Sequence, residues 1–340
     1  MTRPVRVLVV DDSAFARKVL REILSQREGI DVVDIARDGL EALEKIADLT
    51  PDVVTLDLVM PGLDGVGVLR ALPPVDPPRV VVVSMSDADS ELGVEALACG
   101  AFDIVHKPTA LATQRLYELS DELVAKVLAA AAARVPPPLP LPRPIDVPAS
   151  RGKREIVVVG TSTGGPQALT RLISALPADF PVAMAVVLHI PVGYTESLAR
   201  RLDSVSQVEV REAEEDLALC PGRVVLARAG IHLKMNRRRG ALTCRLDVNP
   251  LVSLHTPSVD ALFESAAEQC GARTVGVVLT GMGNDGLRGS NLLRERGGVV
   301  LTQSEASCVV YGMPRSVVEA HLSSAEAEID GMAALIAAQI

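Results

Sequence analysis

Hydrophobic positions along residues 1–130 follow two alternating rhythms. Short β-branched runs are separated by stretches whose apolar residues return every three or four positions, the pattern of a parallel sheet covered by helices. The runs predict strands over Val5–Val10, Asp31–Ala36, Val53–Leu56, Val80–Val83 and Asp103–Val105. Helical patterns lie between them, as in Ala14–Leu24 and Gly39–Leu49, and an alanine-rich stretch, Leu119–Arg134, predicts the last helix of this half. Beyond residue 155 the rhythm restarts with EIVVVG, a glycine turn TSTGGP and an amphipathic QALTRLISAL. Two further buried strands are legible there, VAMAVVLHIP and TVGVVLT. The expected fold is α/β in both halves, a five-stranded doubly wound domain followed by a second doubly wound parallel-sheet domain.

Between the halves, Pro136–Pro148 reads PPPLPLPRPIDVP, seven prolines in thirteen residues. Proline fixes φ and removes the amide donor, so this stretch predicts an extended, semi-rigid spacer; a ligand for a proline-binding module is the competing reading. The expected organisation is a first domain at 1–130, a linker at 131–154 and a second domain at 155–340. The chain of 340 residues is long enough for two such cores.

Charge sharpens this division. The first segment carries 13 basic and 22 acidic side chains, the linker 5 and 1, and the last segment 16 and 20. An acidic chain with no Trp and only seven aromatic residues is poorly suited to gripping phosphate backbones or stacking bases, which argues against nucleic acid as a partner. No apolar run approaches the roughly 20 residues of a membrane span, and the N-terminus MTRPVRVLVVDD lacks the pattern of a signal peptide. Five scattered cysteines without a CxxC pair suit a reducing compartment. The expectation is a cytoplasmic protein without direct membrane insertion.

The predicted strand ends carry the chemistry of the first half. They stop at Asp11 and Asp12, at Asp57, at Ser84, and at Lys107 followed by Pro108. In a doubly wound sheet these ends share one edge, where ligands bind. A single Asp after a strand is ordinarily a helix cap. Three carboxylates with a hydroxyl and a lysine instead suit a hard divalent cation, Mg²⁺ or Mn²⁺, beside a phosphoryl group carried on one carboxylate. The runs VVDDS, DLVMPGLDG, Ser84 and HKP resemble the receiver domain of response regulators. That resemblance implies that Asp57 accepts a phosphoryl group from a histidine kinase. It further implies that Asp11 and Asp12 help hold Mg²⁺, that Lys107 contacts the phosphoryl group, and that Ser84 reports it.

In the second half Gly160-Thr161-Ser162-Thr163-Gly164 fits G-x-S-x-G, a tight strand-to-helix turn that lifts a serine hydroxyl above a sheet. A phosphate loop is the competing reading, but no GK[ST] follows. Of the five histidines, His189 alone ends a clear buried strand, whereas His232 and His255 lie in stretches that read as surface connections. Asp285 falls in the turn GMGNDG after TVGVVLT. Ser162, His189 and Asp285 would therefore converge at one sheet edge as nucleophile, base and orienting acid. The same turn, Gly281–Gly286, also matches G-x-G-x-x-G, which leaves a dinucleotide site open on spacing, with Glu305 as the ribose acid.

GTSTGGP, LHIP, HTPSVD at His255–Asp260, LTGMGNDG and SEASCVVYGMP together resemble the catalytic domain of bacterial chemotaxis protein-glutamate methylesterases. The resemblance implies a phosphorylation-activated hydrolase that removes methyl groups from glutamate γ-methyl esters of chemoreceptors and deamidates certain receptor glutamines. It implies Ser162, His189 and Asp285 as the catalytic residues, with Thr163 and the Met282 amide as oxyanion contacts. Methyl-accepting chemoreceptors would be the substrate, a chemotaxis histidine kinase the phosphodonor, and ester hydrolysis itself would need no cofactor. The expected switch is an unphosphorylated receiver that blocks the serine. A non-enzymatic response regulator whose output domain merely binds a partner is the alternative; for a transcriptional output no convincing basic helix is visible, and Arg237-Arg238-Arg239 reads as a solvated turn.

Overall fold

The computed structural model describes residues 3–84, 90–107, 113–133, 140–147, 154–248 and 255–340. Two compact units emerge, Met1–Ala133 and Arg134–Ile340. In the first, strands β1 (Val5–Val10), β2 (Ile30–Ala36), β3 (Val53–Leu56), β4 (Arg79–Ser84) and β5 (Asp103–His106) alternate with helices α1 (Ala14–Ser25), α2 (Gly39–Leu49), α3 (Gly65–Ala71), α4 (Ser90–Ala98) and α5 (Thr113–Ala132). All pairings are parallel, in the order β2-β1-β3-β4-β5. Every residue of β3 is buried, as expected of a strand covered on both faces. The order reverses between β1 and β3, so the loops after these strands open a crevice at the carboxyl edge. Each predicted strand of this half is present within a residue at either end. The last helix begins six residues before its predicted start, and Arg134, its predicted end, lies outside the described residues.

The second unit holds β6 (Ile156–Thr161), α6 (Gly165–Ser174), β7 (Ala183–Leu188), α7 (Thr195–Ser204), β8 (Glu209–Glu212), β9 (Arg223–Leu226), β10 (His232–Arg238) and β11 (Ala241–Asp247). It continues with α8 (Val259–Gln269), β12 (Thr274–Val278), α9 (Leu287–Glu295), β13 (Val299–Gln303), α10 (Met313–Glu319), β14 (Ala325–Ala327) and α11 (Ile329–Ala337). Seven strands form a parallel sheet in the order β14-β13-β12-β6-β7-β9-β8. β6, β7 and β12 are buried at every position, which fixes the centre of the core. The order reverses between β6 and β12, again placing a crevice at the carboxyl edge. Of the proline-rich stretch, residues 140–147 are described, and the Ile145 amide donates to the Ala175 carbonyl at 2.9 Å just beyond α6. The rest of that stretch lies outside the described residues.

The antiparallel hairpin β10–β11 departs from the sequence reading. Arg237 and Arg238 belong to β10, and only Arg239 lies in the turn, where it and Gly240 take φ of 50° and 85°. His232 opens β10 and is 1% exposed rather than lying in a surface connection. All five cysteines are free, and burial pushes the thiols of Cys244 and Cys308 up to about 12 and that of Cys270 to about 11, leaving them protonated and inert. Among the described residues no helix is long and apolar enough to cross a membrane.

Candidate active site and acidic cluster

The sheet register brings Ser162 and His189 side by side. Thr161 pairs with Leu188 across β6 and β7, and the His189 amide donates to the Thr161 carbonyl at 3.1 Å. Ser162 is thus the first residue past β6, and His189 the first past β7. On the other flank the Ser162 amide donates to the Thr280 carbonyl at 3.1 Å, tying the serine to the residue that follows β12 by two positions. The turn after Ser162 closes through Gly164, whose φ of 79° a side chain would strain, and α6 begins at Gly165.

His189 and Asp285 are joined directly: the imidazole Nε2 lies 2.9 Å from Asp285 Oδ2. A carboxylate only accepts, so the ring proton sits on Nε2 and Nδ1 keeps its lone pair. That Nδ1 is buried and has no hydrogen-bond partner among the described residues. Asp285 is held by three further donors, the Val259 amide at 2.7 Å, the Asp260 amide at 2.9 Å and Ser258 Oγ at 3.0 Å. The carboxylate therefore rests on the N-terminus of α8, where amides and helix dipole both favour an anion. Burial by itself would push its pKa up. The His189 and backbone hydrogen bonds outweigh burial and hold it down at about 2.

Ser258 and His255 were missed as site residues. Ser258 caps α8, accepting from the Ala261 amide while donating to Asp285. His255 stacks on the His189 ring with centroids 4.0 Å apart and planes inclined by 21°. A cap followed by an apolar helix was the readable signal for Ser258; the contact of His255 is made across 66 positions and left no periodic trace. His232, also misplaced by sequence, accepts the Ser258 amide at Nδ1, 3.1 Å away, and burial, helped by Lys234, lowers its basicity.

The candidate oxyanion contacts lie in the same place. Thr163 is buried and its carbonyl accepts from Thr280 Oγ1 at 3.0 Å. Met282 follows Gly281, whose backbone runs so close to Ser162 that a Cβ there would lie 3.0 Å from the serine nitrogen and 2.8 Å from its Cβ. The G-x-G-x-x-G reading of this turn fails on one carboxylate. Asp260 Oδ1 accepts the Gly286 and Gly289 amides at 3.0 and 2.8 Å, so a carboxylate already fills the N-terminus of α9 where a pyrophosphate would bind.

In the first unit the strand ends gather Asp11, Asp12 and Asp57, with one carboxylate oxygen from each lying within 4.8 Å of the others. Lys107 Nζ lies 2.5 Å from Asp11 Oδ2 and 2.7 Å from Asp57 Oδ2. Burial, with the charge of Asp11 beside it, pushes Asp57 above the usual carboxylate range in spite of Lys107. Lys107 is itself raised, because its two carboxylate partners outweigh the cost of burial. One lysine charge against three carboxylates leaves an excess that a divalent cation would relieve, and all-oxygen donors suit a hard ion. Ser84 is buried at the end of β4, and its carbonyl accepts the Lys107 amide at 2.8 Å.

Comparison with known proteins is consistent across both units. Residues 157–336 match the family described as CheB methylesterase, and residues 7–118 match the response regulator receiver domain. A protein-glutamate methylesterase/protein-glutamine glutaminase of Myxococcus xanthus is 61% identical over 338 residues, covering 98% of this chain and 97% of its own length. One of the same name from Thermotoga maritima is 41% identical over 324 residues, with 93% of each chain covered. The crystal structure of the Thermotoga maritima CheB methylesterase catalytic domain superposes with a TM-score of 0.54 at 37% identity, covering 55% of this chain and 99% of that one.

Proposed function

Because this chain belongs to the CheB methylesterase family and carries a response-regulator receiver domain ahead of the catalytic region, we propose that it is a phosphorylation-activated protein-glutamate methylesterase and protein-glutamine glutaminase of chemotaxis adaptation. Its substrates are methyl-accepting chemoreceptors and its phosphodonor a chemotaxis histidine kinase. It works in the cytoplasm, with the organisation of a receiver at 1–130, a linker at 131–154 and a catalytic domain at 155–340. A non-enzymatic output domain is disfavoured by the buried acid-base pair at the serine edge.

The observation that carries the catalytic reading is the His189–Asp285 hydrogen bond, 2.9 Å long, beside Ser162 at the topological switch point. His189 Nδ1, with its lone pair free, accepts the Ser162 proton as the serine oxygen attacks the γ-carbonyl of a glutamate methyl ester. Asp285 fixes the tautomer and stabilises the imidazolium that forms. The Thr163 and Met282 amides stabilise the oxyanion of the tetrahedral intermediate. The imidazolium returns its proton to the leaving oxygen, and methanol departs. Water then cleaves the acyl-serine through the same base. Glutamine follows the same route, with ammonia as the leaving group.

In the receiver, Asp57 accepts the phosphoryl group, Lys107 contacts its oxygens and Ser84 reports it. Asp11, Asp12 and Asp57 would hold Mg²⁺, which supplies charge neutralisation for the incoming phosphoryl oxygens when bound. The test is methanol release from methylated receptor membranes, with and without a small phosphodonor. Wild type should accelerate with the donor, Asp57→Asn should not respond, and Ser162→Ala should release nothing. Methanol release by Ser162→Ala at the wild-type rate would rule the serine out as nucleophile.

A further inference from the structure

His255 is exposed, yet its ring lies flat against the base of the proposed triad, 4.0 Å between centroids and 21° between planes. Among the described residues the His189 ring is hydrogen-bonded through one nitrogen, Nε2 on Asp285. A ring held by its Cβ–Cγ bond and one hydrogen bond can still turn about Cβ–Cγ, carrying Nδ1 with it. The stacked face of His255 removes that freedom and covers a side chain that remains only 10% exposed. The placement of His255 is not independent of the acid. Three residues later Ser258 Oγ donates to Asp285 Oδ1, and the next two amides, of Val259 and Asp260, donate to the same carboxylate. One short segment, His255–Asp260, therefore fixes the plane of the base and the position of the acid together.

We propose that His255 is a positioning residue that sets the plane of the His189 imidazole, so that Nδ1 is aimed at Ser162 before substrate arrives. The inference rests on the reading of Ser162, His189 and Asp285 as the hydrolytic triad. Its physical content is the planar stack against His189. A flat, non-titrating ring should therefore replace it, whereas a small side chain should not.

The experiment compares full-length wild type, His255→Ala and His255→Phe with Ser162→Ala and His189→Gln as controls, measuring kcat and KM for methanol release from methylated receptor membranes. A stacked aromatic pair is worth enough that His255→Ala should lower kcat by about tenfold with KM little changed, and His255→Phe should recover most of that loss. Circular dichroism melting of each variant shows whether the fold is kept, and kcat is compared among folded variants. Wild-type kcat in His255→Ala would overturn the inference, as would equal losses in His255→Ala and His255→Phe. Should His255→Ala fail to fold, the comparison of His255→Phe with His255→Leu decides, since only the flat ring should retain kcat. If Ser162→Ala or His189→Gln keeps full activity, it is the triad reading that fails; if both are dead and His255 is indifferent, only the positioning role falls.

Discussion

Replacing Asp285 with asparagine should weaken the protein and nearly silence the hydrolase, and both effects can be sized from the contacts. Four donors converge on this carboxylate: His189 Nε2 and the Val259 amide on Oδ2, Ser258 Oγ and the Asp260 amide on Oδ1. An amide offers one oxygen and an NH₂. With the NH₂ in place of Oδ1 it confronts the Asp260 N–H; in place of Oδ2 it confronts the Val259 N–H and forces His189 into the wrong tautomer. The hydrogen bonds hold the carboxyl at about 2 against an ordinary value of 3.8, which corresponds to about 2 kcal/mol of stability near neutral pH. Because the folded value is depressed, that stability is complete well above 3.8 and is lost as pH falls towards about 2. Urea unfolding followed by circular dichroism should show a gap of about 2 kcal/mol between wild type and Asp285→Asn at neutral pH. The gap should narrow steadily as the buffer is taken into the acid range. Methanol release at neutral pH should drop by about 10³- to 10⁴-fold, the consequence of a mis-set tautomer. A stability gap that is the same in acid as at neutral pH, or a rate within tenfold of wild type, would refute the assignment.

Three further outcomes follow from the packing. Gly281→Ala would place a Cβ 2.4 Å from Met313 Sδ and 2.8 Å from Ser162 Cβ, so it should cost about 1–3 kcal/mol in urea unfolding and at least roughly tenfold in kcat by displacing the serine. Lys107→Met leaves the buried Asp11 and Asp57 carboxylates without their shared cation, which should destabilise the receiver by about 3 kcal/mol; millimolar Mg²⁺ should restore part of that loss, read as a shift in the urea midpoint. Chelation of divalent cations should abolish phosphodonor labelling of the wild-type chain while leaving its unstimulated methanol release intact, measured as acid-labile phosphate and as methanol in the same sample.

The strands that carry chemistry were legible because they are buried on both faces. Runs such as Val53–Leu56 and Ile156–Thr161 have no polar face to compete with the hydrophobic signal, so their ends, and the residues at those ends, could be placed. The hairpin β10–β11 was not legible, because its buried face alternates with charge and three arginines, Arg237 to Arg239, run from the end of β10 into the turn. Leu233, Met235, Leu242 and Cys244 are buried along it at every second position, but each run is short and interrupted by Lys, Arg or Asn. With the hairpin unread, His232 looked like a surface residue, although it opens a strand and accepts from the amide of Ser258.

The second half of the site was less legible for a different reason. His255–Asp260 is joined to the strand ends by contacts spanning 25 to 66 positions, and neither hydrophobic period reports a contact of that kind. The two glycine turns show the same limit from the other side, since spacing allowed both a hydrolase and a nucleotide site at Gly281–Gly286. What separates them is the occupant of each helix N-terminus. Asp285 leaves that turn to bind the amides that open α8, while Asp260, from α8, binds Gly286 and Gly289 at the start of α9. Each helix thus presents its positive end to a carboxylate of the neighbouring segment, which occupies the place a phosphate would take. The exchange also holds the Asp285 carboxyl down at about 2 beside His189, so the contacts that close the dinucleotide site are the ones that would prepare the proposed acid for the proposed base.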